Sequence, residues 1–167
     1  MYTLHMVSML SVQILLSTLS GTTVMFFLVI TLSFLLYKKK QKTESLTIAL
    51  SSMLAMGVTN LLKYTLKVPR SADMLVVAND YRFPSGHATM AAVVMCLGIA
   101  YTKMHVHHKH ARYFLYITAV AWFILVSYSR LYLHAHRLID IIVGGLIGTV
   151  ATIIILSTAK RSRSHKK

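Results

Sequence analysis

Apolar residues run in long blocks along this chain, and basic residues fall in short clusters between them. Five blocks are clear, at residues 21–37, 45–66, 88–101, 113–128 and 138–158. A helix needs roughly 20 apolar residues to cross a hydrocarbon layer about 30 Å thick, and blocks of this kind, ending in charge, read as membrane spans. Residues 4–20 form a further, shorter apolar segment that stops at Gly21. It reads as a thin first span, as a helix lying at the interface, or as the extension of one long tilted helix. The pattern predicts an all-α polytopic membrane helix bundle with about six membrane segments. It shows no internal repeat, and its only biased segment is the basic tail at 159–167, expected to be disordered.

Composition supports this reading. Of 167 residues, 56% are hydrophobic and 13% charged, and the mean hydropathy is +0.62. Six spans leave no room for a large soluble domain, so the whole chain is expected to be one membrane-embedded domain. A net charge of +14 raises the question of nucleic acid. The cations, however, sit between apolar blocks, with no polar domain to carry a groove, and no nucleic-acid partner is expected. Loops flanking spans attract Lys and Arg on the cytoplasmic side. The loops at 38–44, 102–112 and 159–167 hold twelve of them, against six on the other side, which predicts a cytoplasmic C-terminus. The segments at 67–84 and 129–137 then face outward, to a periplasm, the exterior or a lumen. The single cysteine, Cys96, forms no intrachain disulfide. The first residues lack the positive segment of a cleaved secretory signal, and none is expected.

The outward ends of the spans carry the unusual residues. Lys63 and Arg70 are followed by Pro84-Ser85-Gly86-His87, then Ser129-Arg130, then His136 and Asp140. Fixed charge near hydrocarbon is costly and marks a functional or partnered group. Lys63, Arg70 and Arg130 face few carboxylates, since the chain has only Glu44, Asp73, Asp80 and Asp140. Three cations without partners suit a multivalent anion such as phosphate, which Arg binds through its donor fork and Lys as a point charge. Pro84 opens a helix whose first turn, Ser85-Gly86-His87, offers unpaired N–H groups to an anion, and Gly86 allows close approach. At a spacing of four, His136 and Asp140 share one helix face. The carboxylate then fixes the ring tautomer and leaves the other nitrogen as a nucleophile. His87 is a second imidazole, placed to protonate a leaving alkoxide. With so few carboxylates outside, two metal ions would lack ligands, so neither metal nor cofactor is expected. Ser129 reads as a helix-end hydrogen bonder. The tract His105, His107, His108 and His110 lies on the opposite side and reads as a solvated loop. Gly144 and Gly148 read as close helix packing.

These motifs resemble the type 2 phosphatidic acid phosphatase family, which includes membrane lipid phosphatases and vanadium haloperoxidases. The family pattern is Lys-x6-Arg-Pro, Pro-Ser-Gly-His, and Ser-Arg-x5-His-x3-Asp. Here the first runs from Lys63 to Arg70, the second is Pro84 to His87, and the third runs from Ser129-Arg130 through His136 to Asp140. The motif-bearing core covers about residues 45–158. Two positions depart from it: Arg70 is followed by Ser71, with Pro69 before it, and position 134 is His where many members carry a small residue. The resemblance implies that His136 attacks phosphorus to form a phosphohistidine, oriented by Asp140. His87 would protonate the leaving oxygen and then activate water. Lys63, Arg70, Arg130 and the Ser85-Gly86 turn would hold the phosphate oxygens. The expected partners are a lipid phosphate monoester or diphosphate and the membrane lipids themselves, in a bacterial inner membrane. Undecaprenyl diphosphate, phosphatidylglycerol phosphate and phosphatidate are the substrate classes in view. A lipid A phosphatase, a phosphotransferase and a non-catalytic lipid-phosphate binding or transport protein stand as alternatives. Oligomeric state is not legible.

Overall fold

The computed structural model describes residues 2–164, with side chains placed for 9–161. Six helices follow in order: α1 (Tyr2–Leu19), α2 (Thr22–Lys38), α3 (Lys42–Leu66), α4 (Gly86–His105), α5 (Lys109–Tyr132) and α6 (Leu138–Ser164). No strand occurs among the described residues. The tail expected to be disordered continues α6 as helix to Ser164, and residues 165–167 lie outside the described part.

Four helices, α3 to α6, are individually long and apolar enough to cross a membrane. The six expected segments all appear as helices, and the N-terminal two differ from the other four. There Met9–Leu19 of α1 and the whole of α2 pass the same test together, as a pair bent by 43°. Among the described residues that makes four candidate spans, or five with the bent pair counted as one. The bend falls at Ser20-Gly21, where Gly21 takes an extended ψ of 134° and ends the helical hydrogen bonding.

The bundle is sorted as lipid demands. Large apolar side chains face outward, as at Phe27, Leu61, Phe114 and Ile117, because lipid tails solvate them as well as a protein core does. The interior is built from small and hydroxylated residues: Ser51, Ser52, Ala55, Thr59, Ala88, Thr89, Ala91, Ala92 and Thr152 are all buried. These let backbones approach. A Cβ added at Gly144 would strike the Ser85 carbonyl oxygen, and one at Gly148 would strike that of Thr89 and lie 2.9 Å from the Ala92 Cβ. The small-xxx-small pair therefore presses α6 onto the first two turns of α4. Hydroxyls in this interior bond to helix carbonyls four residues back, as Ser52 and Thr152 do, or across helices, as in the 3.1 Å Thr59–Thr89 contact. Each bond across helices in lipid is worth about 0.6 kcal/mol on average.

From α2 onward consecutive helices alternate in direction, so one end of the bundle collects the C-termini of α3 and α5 and the N-termini of α2, α4 and α6. The α2–α3 and α4–α5 connections and the end of α6 lie at the other end.

Candidate active site

Every motif residue falls at that shared end. Lys63 is in the last turn of α3, His87 in the first turn of α4, Arg130 in the last turn of α5 and Asp140 in the first turn of α6. Two connections complete the site: residues 67–85 between α3 and α4, and residues 133–137 between α5 and α6.

Local capping explains how each is held. The Lys67 N–H bonds the Lys63 carbonyl at 3.0 Å and closes α3 with a left-handed residue. Ser85 is the N-cap of α4, its hydroxyl accepting from the Ala88 N–H at 3.4 Å. The Ser85 N–H donates to the Asp140 carbonyl at 3.0 Å, which ties the start of α4 to that of α6. At the end of α5, His134 adopts φ 52°, and the N–H groups of Ala135 and His136 both point at the Arg130 carbonyl, at 3.1 and 3.3 Å. This reversal turns His136 back over the bundle. Asp140 then caps α6 from its third position, accepting the Arg137 N–H at 2.7 Å.

The Asp140 carboxylate is fully buried, and the same oxygen that caps α6 lies 3.7 Å from His136 Nδ1. At this distance the contact is longer than a hydrogen bond, and His136 Nδ1 has no hydrogen-bond partner. Burial pushes the His136 imidazole below its ordinary value of 6.5; Asp140 opposes that, and the charges of Arg70 and Lys63 add to it. The ring therefore favours its neutral, nucleophilic form.

His87 is held from both sides. Arg130 Nη1 lies 3.2 Å from its Nε2, and the Thr22 hydroxyl 3.3 Å from its Nδ1. Arg130 is itself buried and steadied by the Ser129 hydroxyl, which accepts from Nη2 at 3.0 Å and lies 3.4 Å from the Gln13 carbonyl. Ser129 is thus the helix-end hydrogen bonder its sequence position suggested.

One expectation about the cations is corrected. Lys63 and Arg70 are not without a carboxylate: both bind Asp80, Lys63 Nζ at 2.8 Å and Arg70 through Nη2. Arg70 also donates to the backbone carbonyls of Asp80 at 2.8 Å and Ala135 at 3.0 Å, the latter next to His136. Burial alone would raise the Asp80 carboxyl, but the hydrogen bonds and charges of Lys63 and Arg70 outweigh it and hold it below the usual range. Tyr81 packs edge-on against Tyr64, ring centroids 5.9 Å apart, and fixes this segment on α3. Ser71, where the family pattern has proline, hydrogen-bonds Asp73, and Asp73 in turn lies 2.9 Å from His134 Nδ1.

Sequence reading also missed Arg82, which is mostly buried with Nε 3.5 Å from the Asp140 carboxylate. With His136, Arg137, His134, Leu131, Ser71 and Asp73 it lines a cavity of about 300 Å³. Gly86, expected to admit a ligand, faces Thr22 instead: an added Cβ would sit 3.1 Å from the Thr22 hydroxyl. Among the described residues no group of three or more His, Cys, Asp or Glu side chains is placed to hold a metal ion.

The sequence pattern of the PAP2 superfamily matches residues 44–164, most of the chain and every motif above. The chain belongs to the PAP2 superfamily. Two solved structures share its fold. The first transmembrane PAP2-type phosphatidylglycerolphosphate phosphatase from Bacillus subtilis superposes with a TM-score of 0.75 at 20% identity, over 92% of this chain and 77% of that one. Aquifex aeolicus LpxE superposes with a TM-score of 0.65 at 27% identity, over 89% of this chain and 86% of that one. Phosphatidylglycerophosphatase B of Haemophilus influenzae is 30% identical over 81 residues, 48% of this chain but only 34% of that protein's length. This PAP2 protein is thus a multi-pass helical membrane protein. Its motif 2 and motif 3 imidazoles meet at one end of the bundle, and its motif 1 cations stand beside them.

Proposed function

We propose that this PAP2 protein is an integral membrane lipid phosphatase that hydrolyses a lipid phosphate monoester or diphosphate through a phosphohistidine, without a metal. The observation that carries the reading is the placing of His136 against the buried Asp140 carboxylate, with Lys63, Arg70 and Arg130 converging on the same helix ends.

With Nδ1 turned to Asp140, His136 Nε2 is the free nitrogen and attacks phosphorus. The P–O bond to the lipid breaks, and His87 gives its proton to the leaving alkoxide. Water then attacks the phosphohistidine while His87 takes up a proton, and inorganic phosphate leaves. Lys63, Arg70 and Arg130 hold the three equatorial oxygens, and at the Ser85-Gly86 turn the Gly86 N–H adds to them, since that of Ser85 is bonded to the Asp140 carbonyl. Asp140 orients His136 and stabilises its positive charge in the intermediate. Its 3.7 Å separation is the kind of distance that shortens in a Michaelis complex.

The substrate reading follows from placement. The site lies where helix ends meet headgroups, so a lipid can enter sideways with its tails in the bilayer. The loop from Ser71 to Phe83 is short, with Leu75 and Val77 exposed, and offers little to grip a large polar headgroup. A glycerolipid or isoprenoid phosphate fits best, and the Haemophilus relative puts phosphatidylglycerol phosphate first on the panel. The Lys and Arg asymmetry supports a site facing away from the cytoplasm, with the C-terminus inside, in a bacterial inner membrane.

The test is phosphate release in EDTA from phosphatidylglycerol phosphate, phosphatidate, undecaprenyl diphosphate and lipid A, by the wild type and His136→Ala. Release by the wild type alone is expected. Abolition by EDTA would overturn the metal-free mechanism. Substrate loss without free phosphate would mean transfer to another acceptor, and wild-type function in the variant would leave only a binding or transport role.

A further inference from the structure

We propose that Thr22, at the start of α2 and outside the part of the chain that matches the superfamily, is a positioning residue that fixes the tautomer and orientation of His87. The inference rests on the reading of His87 as the acid and base of the reaction.

The polar neighbours of the His87 ring, namely Arg130, Thr22 and the Ser17 backbone, decide its proton. A guanidinium has donors and no acceptor. Arg130 Nη1, 3.2 Å from His87 Nε2, therefore donates, and Nε2 must be bare. A neutral imidazole with a bare Nε2 carries its proton on Nδ1. The Thr22 hydroxyl faces Nδ1 at 3.3 Å and accepts it, beside the Ser17 backbone, which also hydrogen-bonds the ring. Arg130 and Thr22 together leave one tautomer, with Nε2 as the nitrogen that exchanges protons.

Gly86 gives a second, independent sign of this contact. A Cβ there would lie 3.1 Å from the Thr22 Oγ1 and 3.3 Å from its Cγ2, closer than ordinary van der Waals contact. The glycine next to His87 thus makes the room that Thr22 occupies. Of the two threonines that precede the apolar run Val24-Met25-Phe26-Phe27-Leu28, Thr22 is the one whose hydroxyl reaches the ring.

The contact can persist through the cycle. Substrate phosphate competes for the Arg130 guanidinium and releases Nε2, which takes the proton of the monoprotonated phosphate ester while Nδ1–H stays on Thr22. As the P–O bond breaks, the Nε2–H proton passes to the alkoxide and its electron pair returns to nitrogen. Bare Nε2 then accepts a proton from the water that attacks the phosphohistidine. At each stage Thr22 holds the ring against rotation. General acid–base catalysis contributes about 10²–10⁴-fold, so losing only the orientation should cost a part of that, about tenfold.

The experiment compares Thr22→Val, which keeps the shape and removes the acceptor, with Thr22→Ser, which keeps the hydroxyl. Each is assayed on dilauroyl phosphatidate in detergent micelles and on p-nitrophenyl phosphate, whose leaving group needs no proton. Melting temperatures are taken alongside. Expected for Thr22→Val is a kcat about tenfold lower on phosphatidate with KM within about twofold, and a burst of nitrophenol release within about twofold of wild type. Thr22→Ser should recover most of the loss. Unchanged kcat on phosphatidate in Thr22→Val would overturn the proposal. So would an equal loss on both substrates that serine does not rescue, since that is the mark of a general packing defect. His136→Ala and His87→Ala serve as controls. Turnover by His136→Ala would sink the phosphatase reading itself, whereas two inactive histidine variants beside a fully active Thr22→Val would sink the role of Thr22 alone.

Discussion

The first turn of α6 and the third differ in kind, although both face α4. At the first, Asp140 is a buried carboxylate shared among a backbone N–H, an arginine at 3.5 Å and an imidazole at 3.7 Å. Its other oxygen, Oδ1, has no hydrogen-bond partner. At the third, Gly148 lies against the Thr89 carbonyl and Ala92 with no space for a methyl group. The site end is polar, loosely hydrogen-bonded and short of partners, which is what a centre that must bind and release phosphate requires. The seam below is closed and unyielding. In lipid no hydrophobic effect drives helices together, so such close packing supplies the rigidity that holds the charges in place.

Substitutions at the two levels should therefore fail differently. His136→Ala should lower kcat by about 10⁴-fold or more while leaving the melting temperature in detergent within a few degrees, as expected for a nucleophile that acts as one unit with its partners. A normal rate in that variant would place the chemistry elsewhere. Gly148→Val should do the reverse. Overpacking costs about 1–3 kcal/mol, so thermal stability should drop clearly, and activity per folded molecule should fall far less than for His136→Ala. A variant as stable as wild type would mean that the seam is softer than described.

Arg82→Gln sharpens the comparison from the site side. With the guanidinium gone, Asp140 loses a cation 3.5 Å away and the cavity loses a positive charge, and kcat/KM should fall about tenfold, the size expected of one close charge pair. An unchanged value would reduce Arg82 to a surface arginine. The pH profile gives a smaller but signed effect. His136 must be neutral to attack, and burial lowers its pKa, so the neutral form survives below pH 6.5 and is lost only as pH falls through the depressed value. After correction for the ionisation of the lipid phosphate, the acid limb of kcat/KM should lie below 6.5. A limb at or above 6.5 would contradict the burial seen here. The smallest effect is expected for Asp80→Asn. The Asp80 carboxylate sits on the two cations that phosphate needs, so removing its charge should tighten inhibition by inorganic phosphate a few-fold; weaker inhibition would show that Asp80 positions Lys63 and Arg70 instead of competing for them.

The sequence made the four long spans, the common end and the three motifs legible because each rests on local pattern: apolar runs, a proline-opened helix, and His and Asp four residues apart. The contacts it hid are those made across distance in the chain. Nothing near residue 22 signals His87, which is 65 positions away, and nothing around residue 80 says that its carboxylate folds back on Lys63 and Arg70. A partial signal existed for Asp80: with only four acids in the chain, one in the loop between two cationic motifs had few other places to go. The N-terminal pair was the least legible of the six segments for a physical reason. Hydropathy registers two apolar runs separated by a glycine, but it cannot register that the second run continues the first at 43° instead of reversing.

The central claim is that His136 carries the phosphoryl group. Detergent-purified protein would be mixed with a lipid phosphate labelled in its phosphoryl group, quenched in alkali, where phosphohistidine survives, and mapped by mass spectrometry. The account predicts a base-stable, acid-labile phosphoryl group on His136 in the wild type and none in His136→Ala. A phosphoryl group on any other residue, or turnover by the variant at the wild-type rate, would contradict it.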